Sequence, residues 1–285
     1  MTNNSNENNA LEGSPRSSPR RDGETIRAVL DVMARLRDRE AGCPWDKEQT
    51  FATIAPYTIE EAYEVADAIE RKDMPGLKEE LGDLLFQVAF HARMAEEQGA
   101  FDFADVANAL AAKMIARHPH VFGDVDMRTA EEQTRAWEAQ KAEERARKRP
   151  NASLLDDVAM ALPALMRAEK LTKRAARINF DWPDAEAVLE KLEEELAELD
   201  EARSHADPEA MTEEMGDVLF VMSNLARKLG VDPEEALRRA NAKFTTRFQH
   251  IERRLAEMGK TGKQPLDELE ALWVEAKHTE KKKTP

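Results

Sequence analysis

Two copies of one short string, 134 residues apart (213 − 79), constrain what this chain folds into. Residues 79–86 read EELGDLLF and residues 213–220 read EEMGDVLF. Each begins with acids and ends in apolar residues. The duplication extends further. Glu-Glu-x-x-Glu occurs at 60–64 and again at 194–198, and 19 residues separate Glu61 from Glu80 and Glu195 from Glu214. Lys113 and Arg117 stand four apart, as do Lys243 and Arg247; Trp137 and Lys141 repeat as Trp273 and Lys277. Several motifs recurring in the same order, the acidic ones at one fixed offset, are the mark of a duplicated supersecondary unit.

Around these strings the apolar residues recur every three or four positions, as in IRAVLDVMARLRD (26–38) and VLEKLEEELAELDEAR (188–203), which predicts amphipathic helices. No stretch alternates like a strand. The expected fold is all-α: two tandem helical modules, each with a four-helix core. The expected boundaries are a disordered polar tail at 1–23, a first module at 24–142, a linker at 143–153, a second module at 154–278 and a basic tail at 279–285. Helical modules of this kind leave apolar faces for a second copy, so a homodimer is expected.

Residues three and four apart share a helix face. Glu61 therefore points with Glu64, and Glu80 with Asp83; the second module repeats this with Glu195, Glu198, Glu214 and Asp217. Two helices crossing here bring four like charges together, which is unfavourable unless a cation sits among them. A solvated acidic face is the ordinary reading of such spacing. The apolar continuation argues against it, because it carries each Asp toward the interior, where a carboxylate needs a partner or a metal. Gly82 and Gly216, each costing about 0.8–1 kcal/mol against alanine in a helix, point to close approach by a neighbouring helix or a ligand. Thr58–Glu61 also fits a capping box, which gives Glu61 a structural role instead, but Leu192 stands where Thr58 would, so capping does not explain Glu195. With no cysteine or histidine nearby, all-carboxylate sites favour Mg²⁺ or Mn²⁺. Mg²⁺ fills its shell with water and substrate phosphates, which points to phosphate chemistry.

Charge and cysteine count narrow the field. A net charge of −15 opposes non-specific nucleic-acid binding. No run of apolar residues reaches the length of a membrane span. A single cysteine, Cys43, excludes an intramolecular disulfide and suits a reducing cytoplasm; it reads as structural. His118 and His120 read as loop packing. GKTGK (259–263) lacks P-loop spacing.

The strings GCPWDKEQTFATIAPYTIEEAYE, EELGDLLFQVAF, RHPHVF, DWP and EEMGDVLF closely resemble the MazG family of all-α nucleoside triphosphate pyrophosphohydrolases over roughly residues 25–278. The resemblance implies Mg²⁺-dependent cleavage of a nucleoside triphosphate to the monophosphate and pyrophosphate. It places metal ligands at Glu61, Glu64, Glu80 and Asp83, and at Glu195, Glu198, Glu214 and Asp217. It places substrate contacts at Lys243, Arg247, Trp273 and Lys277, with Lys113 and Arg117 as first-module counterparts. Glu60 and Glu194, beside Glu61 and Glu195, are either supporting groups or the general base. The basic pairs also read as solvated faces, and the tryptophans as packing anchors. The second module is favoured for catalysis, since the first carries an inserted RHPHVF. An alarmone hydrolase and a non-catalytic metal-binding scaffold remain as alternatives.

Overall fold

A computed structural model describes residues 19–124, 129–148 and 152–283. Among these residues every regular element is helical. The chain divides into two compact units after Ala142. The first contains α1 (Pro19–Leu36), α2 (Pro44–Glu48), α3 (Phe51–Glu70), α4 (Met74–Glu97), α5 (Phe103–Arg117), α6 (Pro119–Phe122) and most of α7 (Ala130–Lys148). The second contains α8 (Ala164–Ala175), a short 3₁₀ turn, α9 (Ala185–Ser204), α10 (Pro208–Lys228), α11 (Pro233–Glu257) and α12 (Leu266–Lys283).

The two central hairpins, α3–α4 and α9–α10, start and turn alike. Thr50 caps α3 and Asp184 caps α9, each accepting a backbone N–H from three residues on. Asp73 and Asp207 cap α4 and α10, which both begin with proline or carry it in the first turn. In the turns between, Lys72 and Ala206 both take positive φ, 57° and 50°. Both positions sit at a helix C-terminus, where a left-handed residue ends the helix. The capping box expected at Thr58–Glu61 is displaced: the box joins Thr50 and Thr53. Thr58 lies mid-helix, bonded to the Ile54 carbonyl and to His91 Nε2 at 3.0 Å.

The core of the first unit joins Met33, Ile54, Phe90 and Met94 from α1, α3 and α4, with Phe86 at its margin. α4 also packs on α5, completing four helices. Gln133 and Gln140 of α7 donate to the carbonyls of Arg117 and Ala116 at the end of α5. In the second unit Val188, Val221 and Ile251 are buried where α8, α9, α10 and α11 meet, and α12 packs on α11 through Leu272 and Ala276.

Each unit staples the segment ahead of its hairpin to other helices. In the first, buried Arg37 donates to the Asp46 and Gln49 carbonyls and pairs with Glu97 at 2.7 Å. In the second, Asp181 receives Arg227 and Lys228, and Lys228 also donates to the Trp182 carbonyl. Burial alone would raise the carboxyls of Glu97 and Asp181, but their basic partners hold both below the ordinary range.

Three expected boundaries differ. α1 begins at Pro19, inside the expected tail at 1–23; residues 1–18 lie outside the described residues. α7 runs to Lys148, through the first part of the expected linker at 143–153. α12 reaches Lys283, within the expected tail at 279–285. Ala, Glu, Lys and Arg are strong helix formers, so high charge in these segments does not end a helix.

A non-glycine residue in the left-handed region is strained by roughly 1–2 kcal/mol. Ala206→Gly is expected to raise the stability of the second unit by about 1 kcal/mol. Urea unfolding, compared with wild type, checks this; a loss of stability would contradict it.

Candidate metal centres and active site

The hairpin geometry brings the duplicated acids together. In the first unit, Glu61 and Glu64 from α3 and Glu80 from α4 each place one carboxylate oxygen within 4.8 Å of the others. In the second, Glu195 from α9 meets Glu214 and Asp217 from α10 within the same span. Each trio leaves out one of the four acids expected. Asp83 stays outside the first, yet its charge is the largest acting on Glu61. Glu198 stays outside the second, yet its charge is the largest acting on Glu214. Glu60 and Glu194 lie exposed on α3 and α9.

Burial corrects the sequence expectation. Asp83 and Asp217 are exposed, and the acid most removed from water is Glu195, at 5% exposure. The helix α10 meets its neighbours along Val221, Ser223 and Asn224, one turn beyond Asp217, so the aspartate stands at the rim. Of the two neighbours expected at the glycines, a helix is not the one. Among the described residues, a Cβ on Gly82 or Gly216 would meet no atom beyond its own turn of helix within 4 Å.

Desolvation and then repulsion leave their mark on three of the acids. The Glu61 carboxyl is raised, first by desolvation and then by Asp83 and Glu64. Glu80 is raised by desolvation and by Glu64 and Asp83. Glu214 is raised by desolvation and by Glu198, Asp217 and Glu195.

Two polar side chains complete the centres, and sequence reasoning gave neither a role there. Lys191 Nζ lies 2.7 Å from Glu194 and 2.8 Å from Glu195. Those hydrogen bonds, Glu194 first, raise its pKa above the ordinary lysine value. Its signal was the spacing, three and four residues before the two glutamates. In the first unit the aligned position is Tyr57, 134 residues earlier, and Gln87 fills a different place. Gln87 Nε2 donates to Glu61 Oε1 at 3.4 Å, while its Oε1 is buried with no partner. The aligned residue in the second unit is Val221.

The basic and aromatic residues form separate groups. On α11 and α12, Arg247 lies 5.4 Å from the Trp273 ring centre and donates to Glu280, while Phe244 packs on Trp273 at 5.3 Å. Lys243 and Lys277 are exposed beside them. On α5 and α7, Arg117 and Lys141 both lie over the Trp137 ring, at 5.4 and 5.3 Å. His118 packs edge-on to Trp137 at 5.2 Å and lies 5.6 Å from His120. The histidines thus serve the aromatic group as well as the loop. Lys113 is exposed on α5.

Fold and site together define an all-α protein of two acid-bearing helical hairpin modules. The description "MazG nucleotide pyrophosphohydrolase domain" matches the sequence twice, at residues 49–122 and 184–252. The nucleoside triphosphate pyrophosphohydrolase of Escherichia coli K12 is 51% identical over 90% of this chain and 98% of its own. The nucleoside triphosphate pyrophosphohydrolase/pyrophosphatase MazG of Thermotoga maritima is 43% identical over 90% of this chain and 96% of its own. The chain belongs to the MazG family and is a hydrolase acting on phosphoanhydride bonds.

Raised carboxyls bind more protons in the folded than in the unfolded chain between the ordinary and the shifted pKa. In that window the metal-free fold loses stability as pH rises. Below the ordinary glutamate value the effect vanishes, and the lowered Glu97 and Asp181 then cost stability as they protonate. In chelator, thermal stability is therefore expected to rise on acidification toward pH 4.5 and to fall below it. Glu214→Gln should flatten the first slope and spare the second. Melting curves at stepped pH check this; identical slopes in both proteins would refute it.

Proposed function

We infer that the chain is a Mg²⁺-dependent nucleoside triphosphate pyrophosphohydrolase. It cleaves ribo- and deoxyribonucleoside triphosphates between the α- and β-phosphates, giving the monophosphate and pyrophosphate. The observation that carries this reading is the recurrence of a carboxylate trio across a helix hairpin in both modules. The relatives' names support the substrate class.

The donor set fits a hard divalent cation: carboxylates within 4.8 Å of one another, and in the first module a buried amide oxygen without a partner. Glu61, Glu64, Glu80 and Asp83 would hold it in the first module; Glu195, Glu198, Glu214 and Asp217 in the second. Mn²⁺ is an acceptable substitute. Bound there, the cation would supply Lewis acidity toward the phosphate oxygens and lower the pKa of a bound water.

The chain's own groups do the rest. Glu194, or Glu60 in the first module, stands beside the ligands to take the proton of an attacking water. Lys191 has an ammonium at the acids, ready to meet phosphate oxygens. Arg247 and Lys243, one turn apart, match an anionic polyphosphate, and Trp273 offers a ring face for stacking. A stacked ring carries little hydrogen-bond information, so discrimination among bases is modest. Lys113, Arg117 and Trp137 repeat this arrangement in the first module, and Lys141 repeats Lys277.

We favour the second module for turnover, and we place the enzyme in the cytoplasm as a nucleotide-pool housekeeper. A homodimer belongs to the same reading. Leu196, Met215, Leu219 and Met222 are exposed on α9 and α10, and Ile59, Tyr63, Leu81 and Leu85 on α3 and α4. Large apolar side chains on the acid-bearing helices suit burial against a second copy.

Incubation with Mg²⁺ and each triphosphate should release pyrophosphate and no orthophosphate; orthophosphate alone would reject the assigned bond. Glu214→Gln and Asp217→Asn are expected to lower turnover at least 100-fold, in the range typical of a lost transition-state contact. Glu80→Gln and Asp83→Asn should leave most of it. The reverse ranking would move catalysis to the first module. Sedimentation equilibrium should give twice the 32.2 kDa chain mass, and a monomer at micromolar concentration would remove the dimer.

A further inference from the structure

The two acid clusters share their carboxylates and differ in what else touches them. In the second, an ammonium belonging to the chain already sits on the acids: Lys191 is 2.7 Å from Glu194 and 2.8 Å from Glu195. In the first, Tyr57 takes that place, and no Lys or Arg nitrogen among the described residues pairs with Glu61, Glu64, Glu80 or Asp83. Arg71, whose charge reaches Glu80, is held by Asp67 at 3.1 Å.

The first cluster has one group the second lacks. Gln87 is only 7% exposed, and its amide ends on Glu61. Its oxygen is buried with no donor facing it. A buried acceptor without a partner is destabilising by about 1–3 kcal/mol. The nitrogen and oxygen of an amide exchange places by a flip of the side chain. Turned so that its oxygen faces the carboxylates, Gln87 presents a neutral oxygen beside three anionic ones, which is a hard-cation donor set. In the second module Val221 brings only methyl groups to this position.

The geometry points to unequal loading: the first module holds a divalent cation without nucleotide, with Gln87 as a further oxygen donor directly or through a bound water. In the second, Lys191 occupies the acids until nucleotide arrives. This rests on reading both clusters as divalent-cation sites. It assigns Gln87 as a positioning residue of the first and Lys191 as the internal counterion of the second.

The test is direct. The full chain is stripped with chelator and titrated with MnCl₂ without nucleotide, and free Mn²⁺ is read by electron paramagnetic resonance. Wild type is expected to bind Mn²⁺ in a way that Glu61→Gln with Glu80→Gln abolishes and Glu214→Gln with Asp217→Asn leaves intact. Gln87→Val should weaken this binding about tenfold, as removal of a supporting group around a metal commonly does. Gln87→Glu, which keeps an oxygen donor and the side-chain length, should retain it and serves if the valine variant does not fold. Lys191→Met should add a second class of Mn²⁺ site that Glu214→Gln removes.

Binding lost with Glu214→Gln and Asp217→Asn instead would overturn the assignment, as would unchanged affinity in a folded Gln87→Val or no new site in Lys191→Met. Because no nucleotide is present, these failures are separate from failure of the hydrolysis assay. Mn²⁺ binding indifferent to both acid pairs would defeat the cation reading itself.

Discussion

Everything in this molecule turns on the repulsion held within each helix hairpin. Two crossing helices press carboxylates to within 4.8 Å of one another, where separate chains would keep them apart. The hydrophobic contacts beneath the acids hold them there. Met33, Ile54, Phe90 and Met94 fix α4 against α1 and α3; Val188 and Val221 lie under the second pair. Aspartate caps, the left-handed turn residues and the stapled segments ahead of each hairpin set its ends. The fold thus keeps the acids poised, and the raised carboxyls of Glu61, Glu80 and Glu214, pushed up first by desolvation and then by their acidic neighbours, are the chemical sign of that constraint.

The two modules relieve the repulsion differently. The second has an intrinsic counterion in Lys191; the first has Gln87 and no cation of its own. Both substitutions lie one helical turn from the duplicated acids, on the same faces. A duplicated carboxylate set can therefore be tuned without altering any of its carboxylates. The basic and aromatic groups were retained in both modules too, yet each is braced locally: Arg247 by Glu280 and Trp273, Arg117 by the Trp137 ring.

Much of this was legible from spacing. Periodicity gave the helices, and the fixed offset gave the duplication and the pairing of Glu61 with Glu80 and of Glu195 with Glu214. What spacing did not give was depth. It placed Asp83 and Asp217 inward, whereas Glu195 is the buried one, because the angle at which two helices cross decides which side of a shared face is shielded. At the glycines it offered a helix or a ligand as the neighbour, and no described helix takes that place. The Thr58 capping motif was a local coincidence, since Thr50 and Thr53 start the helix two turns earlier. Lys191 and Gln87 had visible spacings, but only the crossing of two helices shows what they touch. The boundaries slipped because charged sequence was read as linker or tail, although Glu, Lys and Arg favour helix.

The hairpin caps keep one register throughout: Thr50 with Asp184 and Asp73 with Asp207, all at an offset of 134 (184 − 50; 207 − 73). The next cap, Asp102 with Asp232, is at 130 (232 − 102). Four residues have been gained or lost between the acids and the following helix. α4 runs 24 residues and α10 runs 21, so three of the four fall at the helix end (24 − 21) and one in the loop that follows. The cap then restarts the count: Lys113 with Lys243 and Arg117 with Arg247 both keep its offset of 130 (243 − 113; 247 − 117), so a change of length ahead of the cap leaves each basic pair at the same place on its helix.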